Sequence, residues 1–237
     1  MQDKINKNFN RDRKNQLYNE LLKLIGKRKS YSHLHTTLDS LNGVLKNDKI
    51  ITDLCNQFCL SKALIQAIIF DALWSLDEKN YTTDNLVKKY YDWKQDCEDI
   101  FCSAPLGCDD IIYPKSPEPI LEDSPTGIGQ LSADIAILAN NAAVDNCLIS
   151  PAKYNKNDWH HRKVMWFNLN TNDTFSIKML ILTFRYFAEL EEIYGELYNC
   201  NKQQLKLILT HYAKINNKSK SYFDYWHRVY ETFKGYS

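Results

Sequence analysis

Glycine is scarce in this chain, with only 7 in 237 residues, and no stretch reaches the roughly 18 consecutive apolar residues that a membrane span needs. Basic residues, 30 in number, nearly balance 29 acidic ones. This balance gives no basis for broad electrostatic capture of nucleic acid or of a membrane. The N-terminal residues are charged and include no apolar segment, so we expect a protein made in the cytoplasm without a signal peptide.

Metal-binding patterns are also lacking. The 7 cysteines follow no zinc spacing and are odd in number, which favours reduced thiols. The alternative is a pairing among Cys97, Cys102 and Cys108. His160 and His161 are adjacent, so on a helix they point in different directions, and no third ligand is suitably spaced. We therefore expect no metal and no cofactor.

Helical periodicity dominates the chain, and strand alternation is nearly absent. We predict an all-α fold, with at most a short hairpin or irregular lobe in residues 100–130. The most apolar helix follows Ser61, a predicted N-cap, and belongs at the centre of the fold. The predicted helices cover residues 14–25, 30–47, 50–59, 61–76, 82–100, 132–145, 157–170, 174–194, 201–215 and 219–234.

Prolines mark the one long irregular region. Five of the 6 prolines lie between Cys102 and Pro125, which predicts an extended connection there. We also expect an N-terminal helical extension over residues 1–58, before the most apolar helix begins. The main domain would cover residues 59–237 and contain residues 102–125 as a Pro-rich insertion.

The run DSPTGIGQL, residues 123–131, places 2 of the 7 glycines in one short loop that precedes a helix. Gly127 and Gly129 would either let backbone amides approach a ligand or supply the positive φ of a turn. Asp123 would either cap nearby backbone N–H groups or present a carboxylate to a ligand. A loop that leads into a helix is a common place for a binding site.

Three motifs in this order resemble the lysozyme and lytic transglycosylase superfamily, goose-type lysozymes included. They are the apolar helix ALIQAIIFDALW, the run SPTGIGQL leading into SADIAI, and ILTHYAKINN with Tyr212. The resemblance spans roughly residues 60–235 and implies a lysozyme-like fold. It also implies a hydrolase or transglycosylase that cleaves bacterial peptidoglycan between N-acetylmuramic acid and N-acetylglucosamine.

The chain departs from the family pattern at two positions. The catalytic glutamate of the family falls on Ala72, and the asparagine after the tyrosine falls on Ala213. A glycosidase needs a carboxylic acid that stays protonated near neutral pH, and alanine has none. Asp71 is rotated about 100° away on the helix. Two interpretations stay open: an acid-to-Ala variant of a muramidase or lytic transglycosylase, or a naturally inactive module that binds glycan or a protein partner.

The resemblance also implies roles for the other site residues. Asp123 would orient a water for attack, and Tyr212 would contact the sugar unless it is a core tyrosine. The implied substrate-binding residues are Ser124, Thr126, Gly127, Gly129, Gln130 and Trp74. Trp74 and Tyr81 would stack on sugar faces, but most of the 30 aromatic residues must lie in the core, which is the favoured position for these two as well. A purely structural helical protein would instead place Gly127, Gln130 and Tyr212 far apart, whereas both lysozyme-like interpretations need these three residues to line one groove with residue 72.

The implied partners are peptidoglycan glycan strands and a cognate immunity or inhibitor protein; we expect no nucleic acid partner. Cell-wall degradation by a protein without an export signal requires a delivery route. An antibacterial toxin sent through a secretion system, or a phage-type lysin, meets that condition.

Overall fold

The computed structural model describes residues 2–25, 35–103, 112–150, 152–216, 218 and 222–236, with side chains from residue 11 onward. Within these ranges the chain forms ten α-helices and one short 3-10 helix, and its only β-type pairing is one isolated bridge. The all-α prediction is confirmed. None of the described helices has the length and apolar character to cross a membrane.

The helices are numbered in chain order, and a 3-10 turn at Leu197–Asn199 lies between α8 and α9. They are α1 (Gln2–Ile25), α2 (Thr37–Lys46), α3 (Asp48–Gln57), α4 (Lys62–Trp74), α5 (Glu78–Ser103), α6 (Ala133–Asp145), α7 (Trp159–Thr171), α8 (Asp173–Leu190), α9 (Lys202–Ile215) and α10 (Tyr222–Lys234). Every predicted helix has a counterpart. Of the helix predicted over 30–47, residues 30–34 lie outside the described residues.

Helix α4 lies at the centre of the fold. Nearly all of its side chains are buried, and it packs against α2, α3 and α10. A helix that is apolar on most sides must be surrounded by other elements, so its predicted central position is confirmed. Ser61 is its N-cap residue, as predicted, but the Ser61 side chain makes no capping hydrogen bond.

A second group of helices joins the first through α3. Helix α6 contacts both α7 and α8, and α8 in turn contacts α3 and α9. The predicted N-terminal extension joins the same hydrophobic core, because α1 packs on α10 while α2 and α3 pack on α4.

Residues 112–125 run as an extended segment, as the prolines predict. Side chains of the helices hold it in place: Trp93 Nε1 donates to Pro114 O at 2.8 Å, and Tyr91 OH donates to Glu122 O at 2.8 Å. Arg162 of α7 donates to the Glu122 carboxylate at 3.1 Å. These side chains satisfy backbone and carboxylate groups that have no strand partner. The segment therefore leads to the site from a fixed direction.

Cysteines 97 and 102, two members of the alternative pairing, are free thiols in the structure. The third member, Cys108, lies outside the described residues. The other described cysteines are also free.

Candidate functional site

The last six residues of the run DSPTGIGQL, residues 126–131, form a closed loop, which we call the glycine turn. Thr126 N donates to Leu131 O at 3.0 Å, and Leu131 N donates back to Thr126 O at 3.1 Å. Inside the loop, Gly127 O accepts from Gln130 N at 3.1 Å and from Gln130 Nε2 at 3.0 Å. The loop is therefore ordered by its own hydrogen bonds.

Gly127 is required by the shape of this loop. Its φ is +67°, in the left-handed region that favours glycine. A Cβ atom at this position would also collide with the carbonyl oxygen of Leu169 in α7. The turn interpretation of Gly127 is confirmed, and close packing against α7 is a second reason for glycine here.

Three helices hold the glycine turn from outside. Tyr212 OH of α9 donates to Gly129 O at 3.1 Å, and Gly129 N donates to Ser176 Oγ of α8 at 3.3 Å. Asn80 Nδ2 of α5 donates to Gln130 Oε1 at 3.3 Å. Tyr212 is only 2% exposed, and burial raises the pKa of its hydroxyl. Its hydroxyl supports the turn, which fits the core-tyrosine alternative.

Ser124 and Thr126 turn their hydroxyls toward a carboxylate that sequence patterns do not reveal. Asp84 of α5 accepts from Ser124 Oγ at 3.0 Å, from Thr126 Oγ1 at 2.9 Å and from Asn170 Nδ2 at 3.0 Å. Burial raises the pKa of Asp84, while the three hydrogen bonds act in the opposite direction. Both hydroxyl-bearing residues are buried, so they support the site and do not face a ligand.

Asp123 caps helix α6. Its Oδ1 accepts from Ala133 N at 2.9 Å and from Ser124 N at 2.9 Å, and its Oδ2 accepts from Asp134 N at 3.0 Å. Burial raises the pKa of Asp123, and the backbone donors oppose that change. The capping alternative is therefore correct for Asp123. The water-orienting role is not supported, because both carboxylate oxygens serve backbone donors.

Two cavities adjoin the glycine turn and share Asn80 and Gln130 in their walls. The first, which we call the Ala72 cavity, has a volume of about 230 Å³. The second, the Asp84 cavity, has a volume of about 300 Å³. Ala72, Gln130 and Tyr212 line the first, and Gly127 and Gln130 line the second together with Tyr81, Asp84 and Asn170.

Residues from all three motifs thus meet in space. Positions 72, 130 and 212 belong to α4, the glycine turn and α9, and they line one cavity. Gly127, which both lysozyme-like interpretations also place in that groove, lines the adjoining Asp84 cavity. Gln130 belongs to both cavities.

Trp74 does not belong to the site. It is 8% exposed, and its ring centroid lies 6.3 Å from that of Tyr225 in α10. It lines neither cavity, and its burial fits the core alternative better than a sugar-stacking role. The helical twist turns it toward α10. Tyr81, by contrast, is 52% exposed and lines the Asp84 cavity.

The Ala72 cavity offers no carboxyl group among its described lining residues. Ala72 presents a methyl group and is 2% exposed. Asp71 is buried on another side of α4, where its Oδ2 accepts from Tyr222 OH at 2.8 Å. The proton donor that glycoside cleavage requires is therefore missing from this cavity.

The histidine pair lies away from both cavities. His160 Nε2 is 2.7 Å from Glu98 Oε2, and this hydrogen bond raises the pKa of His160. Its Nδ1 is 3.2 Å from Asp158 Oδ1. In the part of the chain that the structure describes, no group of three or more histidine, cysteine or acidic residues could hold a metal ion.

Comparison with family models, with curated proteins and with solved structures found no match to this chain. The resemblance to lysozymes therefore depends on the three sequence motifs alone.

Proposed function

We propose that this chain is a lysozyme-like domain that binds the glycan strands of bacterial peptidoglycan, with residue 72 in the position of the general acid. With Ala72 the domain holds glycan without cleaving it. The observation that supports this proposal is the meeting of Ala72, Gln130 and Tyr212 in one cavity.

The walls of the two cavities suit a sugar. Each sugar hydroxyl both donates and accepts hydrogen bonds, and amide side chains do the same. Asn80 and Gln130 supply amides at the boundary, and Asn170 and Asp84 supply further polar groups in the second cavity. The exposed ring of Tyr81 gives an apolar face beside them. The combined volumes fall in the range of small-molecule sites, about 300–1,000 Å³.

Position 72 also suits an acid. It lies on α4 beside Ile68 and Ile69, both fully buried, at the wall of the cavity. Loss of water around a carboxyl raises its pKa, and a raised pKa is what a general acid needs. A glutamate at position 72 would therefore lie in the desolvated setting that glycoside cleavage requires.

The test compares the chain with Ala72→Glu on purified peptidoglycan at several pH values. We expect the unmodified chain to co-sediment with peptidoglycan and to release no muropeptides. Ala72→Glu should release them. Ala142→Glu is the matched control, because Ala142 lies on α6 at the wall of a different cavity. It should bind peptidoglycan and release nothing.

Two results would count against the proposal. Failure of the unmodified chain to co-sediment with peptidoglycan would remove the glycan-binding function. Co-sedimentation together with an inactive Ala72→Glu variant at every pH would remove position 72 from the role of the acid. The delivery route to the cell wall and the cognate inhibitor protein stay predictions from the resemblance.

A further inference from the structure

Lys218 is the one charged residue among those that line the Ala72 cavity in the described part of the chain. Its side chain is 24% exposed. The other lining residues are apolar or carry hydroxyl or amide groups, including Ser75, Asn80 and Gln130. A partly desolvated ammonium in a small cavity exerts a stronger field than one on an open surface.

The Lys218 ammonium is held in place by three contacts. Its Nζ donates to Ser75 Oγ at 3.2 Å and lies 3.5 Å from Asp71 Oδ2. It also lies 5.4 Å from the ring centroid of Tyr222. Ser75 Oγ in turn donates to Ala72 O at 3.1 Å, which links the ammonium to the wall at residue 72. An ammonium has three N–H donors, so at least one is left for the cavity.

Asp71 does not cancel this charge inside the cavity. Its side chain is 4% exposed and does not line the cavity. Its Oδ2 already accepts from Tyr222 OH at 2.8 Å, a shorter contact than the one with Lys218. The pair is therefore a dipole whose positive end faces the cavity and whose negative end is buried behind it.

We propose that the Ala72 cavity binds the carboxylate of an acidic ligand through Lys218. The methyl group of Ala72 leaves room for that carboxylate beside Lys218. The inference rests on the proposed function only for the identity of the ligand. N-acetylmuramic acid is the peptidoglycan sugar that has a carboxyl group, and this group is a free carboxylate where no stem peptide is attached to it.

The test is calorimetric titration of the full chain with N-acetylmuramic acid and with its methyl ester, which keeps the shape and removes the charge. We expect the acid to bind about fivefold more tightly than the ester, the size of one moderately screened ion pair. Lys218→Met should abolish this preference, and Lys218→Arg should retain it. Lys214→Met is the control, because Lys214 is exposed on α9 and does not line the cavity.

Equal binding of acid and ester to the unmodified chain, or a preference that survives Lys218→Met, would overturn the inference. The proposed function is tested separately, by co-sedimentation with peptidoglycan. If the acid is preferred while peptidoglycan does not co-sediment, the inference stands and the function is wrong. If peptidoglycan co-sediments and the preference is absent, the function stands and the inference is wrong.

A second measurement needs no sugar and guards against loss of folding in Lys218→Met. The carboxyl introduced by Ala72→Glu is titrated by NMR with and without Lys218→Met. We expect a lower pKa when Lys218 is present. Asp71 acts in the opposite direction in both proteins, and Tyr212 and Tyr222 stay neutral because burial raises the pKa of each. The same titration midpoint in both proteins would overturn the inference.

Discussion

The glycine turn and the wall at residue 72 line the same cavity, yet they are built in opposite ways. The turn is closed by its own bridge and held by Tyr212, Ser176 and Asn80. The wall at Ala72 presents a methyl group that makes no polar contact. The comparison teaches that the shape of this site and its chemistry depend on different residues. Under the proposed function, the turn keeps its shape without an acid at residue 72, so binding and cleavage would be separable.

The substitution that we expect to destabilise the glycine turn most, while residue 72 stays unchanged, is Gly127→Ala. The added Cβ meets the Leu169 carbonyl oxygen, which no side-chain rotation relieves, and the left-handed φ becomes strained. Together the overpacking and the strain should cost about 2–5 kcal/mol of unfolding free energy. Urea unfolding monitored by circular dichroism measures the loss.

The control for this substitution is Gly195→Ala. Gly195 has a φ of +90°, but nothing lies within 4 Å of an added Cβ. It should show only the conformational cost, about 1–2 kcal/mol. Losses of the same size at both positions would mean that contact with α7 does not hold the turn.

The next substitution, Tyr212→Phe, separates the turn from α9 without touching residue 72. It leaves the buried Gly129 carbonyl without its 3.1 Å donor, which should cost about 1–3 kcal/mol. Thermal unfolding measures the change, and peptidoglycan binding should weaken because the turn loses a support. Tyr194→Phe, at a side chain that is 75% exposed, is the control and should change little. An unaltered stability in Tyr212→Phe would show that the hydrogen bond does not anchor the turn.

The smallest effect concerns Asp84, whose contacts join the turn to α5. Burial raises its pKa above the ordinary 3.8, so folding favours the protonated form. The stability from protonation is complete below pH 3.8 and is lost as the pH rises through the raised pKa. Asp84→Asn has no such titration. The unfolding free energy of the native chain minus that of the variant should therefore fall as the pH rises.

Urea unfolding of both proteins across this pH range measures the difference. A difference that grows with rising pH would show that hydrogen bonds from Ser124, Thr126 and Asn170 outweigh burial at Asp84. Asp84 would then support the glycine turn in its ionised form.

The sequence predicts the helices and the centre of the fold because both depend on local periodicity. Helix α4 is apolar on nearly every face, and such a segment has one stable place in an all-helical protein. The first and last residues of each helix are less predictable. Helix α1 begins twelve positions before the predicted residue 14, at Gln2, because its polar first half carries no apolar stripe that marks a helix. Helix α5 likewise extends beyond residues 82–100 at both ends.

The site is predictable only where a motif marks it. Gly127 and Gln130 stand in a recognisable run, whereas Asp84 lies in the second turn of a polar helix and Lys218 in a connection between helices. Their roles arise from the packing of elements that are distant in sequence, which local patterns do not encode. The same reason explains Asp123: its sequence context allows a cap or a ligand group, and only the position of α6 decides between them.

Asn80 and Gln130 touch at 3.3 Å on the boundary that the two cavities share. A monosaccharide confined to one cavity leaves that contact in place. An oligomer that extends through both cavities must lie across the amide pair or part it. If the proposed glycan binding holds, this amide pair would make the length of the ligand matter separately from its chemical identity.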